Sequence, residues 1–225
     1  MKRILLFVFV ASLMSSCKES SDKEAIGSYI ISPHFISAYL MPAKIEALSN
    51  APGHLYLKVT GDTYKTSADK NSINYDKVQY FSNLYGDTSY NKISSSFHNA
   101  LAYPIEKITI YSEKDFDAEH PAGEPLDDIV KLNYQSYYGF VKSGYTAYKY
   151  DNPAWVGPIA DHYVLNFNKI TADVSRLVVV SLAKDGSLAG VEFDSSPSTP
   201  GEYPFTIEMV VNGETLSAEF TYTFE

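Results

Sequence analysis

Apolar and polar residues alternate with a period of two through much of the chain's second half, the spacing of strands with one packed and one wet face. The clearest stretch is the last. Strands over 203–211 and 214–225 flank Asn212-Gly213, a pair that supplies the positive φ angles of a type I′ turn. A two-residue loop sets Met209 opposite Leu216, Ile207 opposite Ala218, Phe205 opposite Phe220 and Tyr203 opposite Tyr222. That face is apolar or aromatic throughout. The other face pairs Glu208 with Ser217 and Thr206 with Glu219 and is wetter. A slip of one residue would turn the apolar set to water, which fixes the register. Pro204 has no N–H, so an outer neighbour of strand 203–211 is unpaired at that point.

A second hairpin is predicted around Asp185-Gly186, with Val178, Val180 and Leu182 facing Phe193, Val191 and Ala189. Further strands are expected at Phe35–Met41, Leu55–Thr60, Ile105–Tyr111 and Tyr163–Phe167. Residues 69–80 and 91–102 are ambiguous, and the latter reads as a strand or as a short helix ending before Pro104. No helical stripe of useful length stands out. Pro121, Gly123 and Pro125 break regular structure after 113, and Pro125 starts a helical turn over Leu126–Val130.

The amino end follows a different pattern. Met1-Lys2-Arg3 precedes an apolar run from Ile4 to Met14, then Ser15-Ser16-Cys17. The run suits a signal-peptide core and falls short of the about 20 residues that span a bilayer. The order basic, apolar, small, cysteine resembles bacterial lipoprotein precursors, with Met14 in the place of the usual leucine. The resemblance implies that residues 1–16 are removed and that Cys17 carries the lipid, which anchors the protein to the outer membrane at its surface or periplasmic face. Residues 17–26, polar and free of aromatics, form a flexible tether, and their acidic patch resembles the surface-export tag of Bacteroidota lipoproteins. Residues 27–225 then make a single β-rich domain, elaborated over 27–102.

Composition narrows the partners. The chain has 225 residues and a formal charge of −9, which becomes −11 without Lys2 and Arg3. A nucleic acid wants a basic face, so none is expected. Cys17 is the sole cysteine, so the body has no internal disulfide and rests on its core. The 19 tyrosines exceed the 12 phenylalanines, as suits sheets whose rings pack and whose hydroxyls meet water.

Gly201-Glu202-Tyr203-Pro204-Phe205 resembles the start of strand F in immunoglobulin-like sandwiches, with Phe205 where antibody domains have cysteine. The fold class expected is therefore all-β, an immunoglobulin-like β-sandwich over 103–225 with additional N-terminal strands. With Ile105–Tyr111 and the Asp115–Gly123 run, the body resembles uncharacterised Bacteroidota cell-envelope lipoprotein families, a resemblance that brings no activity.

Three sets of residues carry chemistry. Asp115, Asp117 and Glu119 open like a calcium-binding EF-hand loop, but His120 and Leu126 stand where that loop needs glycine and a bidentate glutamate. An irregular, solvent-facing loop without metal is expected. Six tyrosines crowd 134–150. Of these, Tyr134, Tyr137, Tyr138, Tyr145 and Tyr148, with Trp155, would stack sugar rings if exposed on one face, and would equally suit a half-packed sheet. The histidines, His34, His54, His98, His120 and His162, sit in no hydrolase motif, and Asp161-His162 would point to opposite faces of a strand. The expectation is a non-catalytic envelope protein without cofactor, binding a protein or a surface glycan; the rival readings are a glycan-binding module of polysaccharide uptake and a small hydrolase.

One outcome follows from the leader. Mass spectrometry of membrane-extracted protein is expected to find an acylated Cys17 as residue one, and Cys17→Ser is expected to release the protein from the membrane fraction. Membrane retention unchanged in Cys17→Ser would refute the anchor.

Overall fold

The computed structural model describes residues 31–51, 54–66, 70–93, 98–146, 160–181 and 186–225. The leader, Cys17, the tether, Tyr148, Trp155 and Asp185 lie outside them. The strands run β1 (Ile31–Ser32), β2 (Ala38–Ala51), β3 (His54–Lys65), β4 (Lys92–Ile93), β5 (Asn99–Leu101), β6 (Ile105–Ser112), β7 (Val130–Ser136), β8 (Asp161–Asn166), β9 (Ser187–Phe193), β10 (Gly201–Val211) and β11 (Glu214–Phe224). Helix α1 (Tyr75–Tyr85) follows β3, and α2 (Tyr138–Lys142) follows β7.

Two sheets face each other in an all-β sandwich. One has the order β11-β10-β6 and the other β5-β2-β3-β9-β7-β8. Within them, β2-β3-β9-β7 and β6-β10-β11 are antiparallel throughout. Taken in chain order, these seven strands reproduce the A-B-E-D and C-F-G arrangement of an immunoglobulin constant-type domain. The frame therefore draws its first two strands from residues 38–65. Strands β5 and β8 extend the larger sheet at its two edges, β5 in parallel with β2.

The last hairpin has the register that its alternation dictates. Met209 pairs with Leu216, Ile207 with Ala218, Phe205 with Phe220 and Tyr203 with Tyr222. Asn212 and Gly213 have φ of 54° and 74°, as the type I′ turn requires. The ladder from β10 to β6 starts at Phe205–Ser112, one residue past Pro204, whose carbonyl instead accepts from the Glu113 N–H. Tyr203 Oη donates to the Thr199 carbonyl at 2.7 Å, the corner bond of immunoglobulin-like sandwiches.

Between the sheets, Leu57, Leu132 and Val191 of the larger meet Ile108, Ile110, Phe205, Ile207 and Met209 of the smaller, all buried. Where an antibody domain has its disulfide layer, this chain stacks rings. Phe193 of β9 lies 5.3 Å from Phe205 and 5.1 Å from Phe224 between ring centres. Phe116 joins them at 6.0 Å from Phe193 and 5.5 Å from Phe224.

The absence of a helical stripe is corrected by α1. Val78, Phe81, Ser82 and Tyr85 are its buried face, spaced i, i+3, i+4 and i+7. Serine at one of the four positions and tyrosines on both faces hide the stripe from a reading of apolar residues alone. The helix ends in a Schellman motif: Gly86, at φ 75°, donates to the Asn83 carbonyl, and Asp87 N–H donates to that of Ser82. The described part of 91–102 contains β4 and β5.

A second buried cluster, formed with Phe35, Tyr39, Phe81, Tyr137, Phe140 and Tyr145, lies under the helices on the outer face of the larger sheet. Its polar centre is Asp87, fully buried. The carboxylate accepts from the N–H groups of Phe35 at 2.7 Å and Ile36 at 2.9 Å, and from the Tyr145 hydroxyl at 2.9 Å. Burial raises the Asp87 pKa above the ordinary aspartate value, against the pull of these bonds.

The predicted 178–182/189–193 hairpin is overturned. Strand β9 has both edges occupied, by β3 and β7, so Val191 faces Leu55 and Leu132 rather than Val180. Residues 178–180 instead lie between β5 and β7: Leu101 N–H donates to Val178, Val179 N–H to Gln135 and Val180 N–H to Asn99. Of the first hairpin arm, 178–182, the described part makes only isolated bridges.

Removing the Asp87 carboxylate leaves two buried amides and a tyrosine hydroxyl without an acceptor, at about 1–3 kcal/mol for each unsatisfied group. Asp87→Ala is expected to lower the unfolding free energy by at least about 3 kcal/mol in urea titrations. A loss under about 1 kcal/mol would show that the cluster does not depend on this residue.

Candidate functional site

Among the described residues, a shallow groove of about 340 Å³ opens on the outer face of the larger sheet. It lies beside the helical cover, and Val179 borders both. Its geometry comes from strand register. Tyr56 of β3 pairs with Gly190 of β9, and Gly190 pairs with Asn133 of β7. All three point to the same face, because Leu55, Val191 and Leu132, one residue away in each strand, are buried in the core. The row reads Tyr56, no side chain, Asn133. The result is a trough two strand spacings wide, about 9.5 Å.

Gly190 has no folding reason to be glycine. Its φ is not positive, unlike those of the turn glycines. A methyl there would meet nothing closer than Asn133 Cβ at 3.5 Å, ordinary contact. Compare Gly61, where the bulge at Pro42 brings the Met41 carbonyl oxygen into the space such a methyl would take. At one end of the trough a register shift between Leu57 and Lys58 brings Ser187, Leu188 and Ala189 into the wall.

The walls hold no lysine, arginine or carboxylate. Asn133 donates through Nδ2 to Glu192 at 2.8 Å, and its Oδ1 meets His162 Nε2 at 2.5 Å, so the amide is held in one orientation. Tyr56 Oη and the Gln135 amide make no hydrogen bond among the described residues and line the opening. The nearby lysines are paired with acids, Lys58 with Glu46 at 3.3 Å and Lys131 with Asp194 at 2.5 Å.

The described members of the tyrosine belt, Tyr134, Tyr137, Tyr138 and Tyr145, form no exposed stacking face. Tyr134 is buried, stacks on Tyr163 at 5.2 Å and donates to the Val174 carbonyl. Tyr137 is buried edge-on to Phe35. Tyr145 is buried on Asp87, and burial first, then the carboxylate, pushes its hydroxyl up to about 12. Tyr138 is half-buried; its hydroxyl accepts from Arg176, whose guanidinium lies 5.1 Å from the ring centre. These rings line a core because 134–146 spans a strand that alternates into one cluster and a helix that packs into the other.

The acidic loop is also more tightly held than its solvent-facing reading allowed. Phe116 and His120 are buried. Asp115 accepts from the Ala122 N–H, and Asp117 from the N–H groups of Glu119 and His120, so these carboxylates tie the loop to itself. His120 lies between Asp117 at 2.8 Å and Asp128 at 3.2 Å. Burial lowers the His120 pKa, and the bonds to Asp117 and Asp128 more than offset that, leaving it raised above 6.5. No group of three metal-ligating side chains occurs among the described residues. Leu126–Val130 makes the expected turn, with Val130 N–H on the Leu126 carbonyl.

Sequence reasoning passed over the groove because its members lie on three strands distant in sequence. Its one local signal is an isolated glycine inside a strand pattern. No protein-family model, curated protein or solved structure matches the chain.

If Gly190 serves the trough rather than the fold, Gly190→Ala is expected to stabilise the protein by about 0.5–1 kcal/mol, the cost of glycine in a strand interior. Thermal unfolding measures this. A loss of stability would mean that the glycine has a folding role after all.

Proposed function

We propose that this protein is a non-catalytic binding module of the bacterial cell envelope, held at the outer membrane by an acylated Cys17, with the groove over Gly190 as its binding surface. The observation that carries the reading is the trough itself. A strand-interior glycine without steric or dihedral cause keeps it open, and fixed or free side-chain amides line it. Close approach of a ligand is one of the roles that strand-interior glycines serve. The acid-rich composition and the leader-like amino end support a reading outside the cytoplasm and away from nucleic acid.

The surroundings of the histidines support binding over hydrolysis. His34 bonds the Asp87 carbonyl and Gln79, His98 stacks on Phe35, and His120 is fixed between two carboxylates. His162, the histidine of the groove, bonds an amide oxygen.

The test is photo-crosslinking of the full chain in its native cells. A photoreactive residue at Gln135, in the groove, is expected to give discrete higher-mass adducts; one at exposed Glu219, on the outer face of the smaller sheet, is expected to give none. Equal labelling at both positions, or none at Gln135, would refute the groove as the binding surface.

A further inference from the structure

The groove's chemistry goes further than its existence. We propose that the trough over Gly190 accommodates a ring of a neutral sugar. This rests on the binding role proposed above and names its ligand class.

Charge decides first. The lining offers amides, hydroxyls and an imidazole, and the neighbouring cations Lys58 and Lys131 are each closed by an acid. No lysine or arginine there is left to neutralise an anionic ligand, and the chain's charge of −9 opposes one.

The polar groups match hydroxyls. Asn133 spends one Nδ2 hydrogen on Glu192 and one Oδ1 lone pair on His162, which leaves one donor and one acceptor in a fixed plane. The Gln135 amide adds both kinds. Each amide thus presents a donor beside an acceptor, as adjacent hydroxyls on a ring require, since every hydroxyl both gives and accepts. The apolar parts match as well. Tyr56 and Val179 supply hydrocarbon and ring surface against which the C–H face of a pyranose packs. The volume of about 340 Å³ is at the lower end for small-molecule sites and suits one ring with a neighbour projecting to solvent.

A peptide fits less well. Main-chain recognition by strand addition needs a free sheet edge, whereas Gly190 lies in β9, whose two edges are taken by β3 and β7. What this face offers is side chains only.

The experiment is an array with the full chain in detergent, carrying neutral oligosaccharides of glucose, mannose and galactose beside uronate-containing and sulfated saccharides and extended peptides. At least one neutral class is expected to bind. Tyr56→Ala and Gln135→Ala are expected to weaken that binding tenfold or more, Gly190→Phe to abolish it, and Glu219→Ala to leave it unchanged. Should Gly190→Phe fail to fold, Gly190→Ala, whose methyl fits, is expected to weaken binding several-fold in a folded protein. Neutral-sugar binding indifferent to the Tyr56 and Gln135 substitutions overturns the site. Preference for anionic saccharides or for peptides overturns the ligand class. Silence from every neutral saccharide while Gln135 still crosslinks in cells overturns the sugar and leaves the binding role standing; silence in both removes both.

Discussion

The structure depends on a strand held from both sides. β9 is short, yet it lies between β3 from the first third of the chain and β7 from the middle. That double pairing welds the N-terminal residues into the frame and gives the larger sheet its order. It also sets Val191 against Leu55 and Leu132 on the core side and Gly190 between Tyr56 and Asn133 on the other. Because side chains alternate strictly, the core side and the trough are one constraint: moving β9 by a single residue would bury the glycine row and expose Val191.

The second requirement is a core that holds without a cross-link. Immunoglobulin-like frames often pin their sheets with a disulfide, and this body has no cysteine to do so. Rings from both sheets and from the acidic loop meet instead, around Phe193, Phe205, Phe224 and Phe116. The outer face of the larger sheet is partly roofed by α1 and α2, with Asp87 as a hydrogen-bonded pin. The rest of that face is left to the groove. The binding surface proposed here is thus the part of an extended sheet that the inserted helices do not cover.

The sequence carried local geometry faithfully and distant pairing poorly. The hairpin of β10 and β11 was legible to the residue because turn chemistry and alternation agree there. The corner at Tyr203 was legible as a motif, and its bond to Thr199 is present. Strand β9 was legible as a strand, but the short link through Gly186 suggested the wrong neighbour; only long-range partners decide where a strand paired at both edges goes. α1 was missed because a serine and several tyrosines blur its stripe. The candidate site was the least legible part. Tyrosines abundant in sequence proved to be core at Tyr134, Tyr137 and Tyr145, while the trough depends on one glycine, whose meaning emerges only when Tyr56 and Asn133 stand on either side of it.

The position of β9 is open to direct measurement. Nuclear Overhauser contacts between backbone protons of the isotope-labelled mature chain report strand neighbours residue by residue. The account predicts cross-strand contacts from Gly190 to both Tyr56 and Asn133, and from Val191 to both Leu55 and Leu132. Contacts running instead from Val191 to Val180, with none to Leu55, would restore the local hairpin, dissolve the trough and contradict the account.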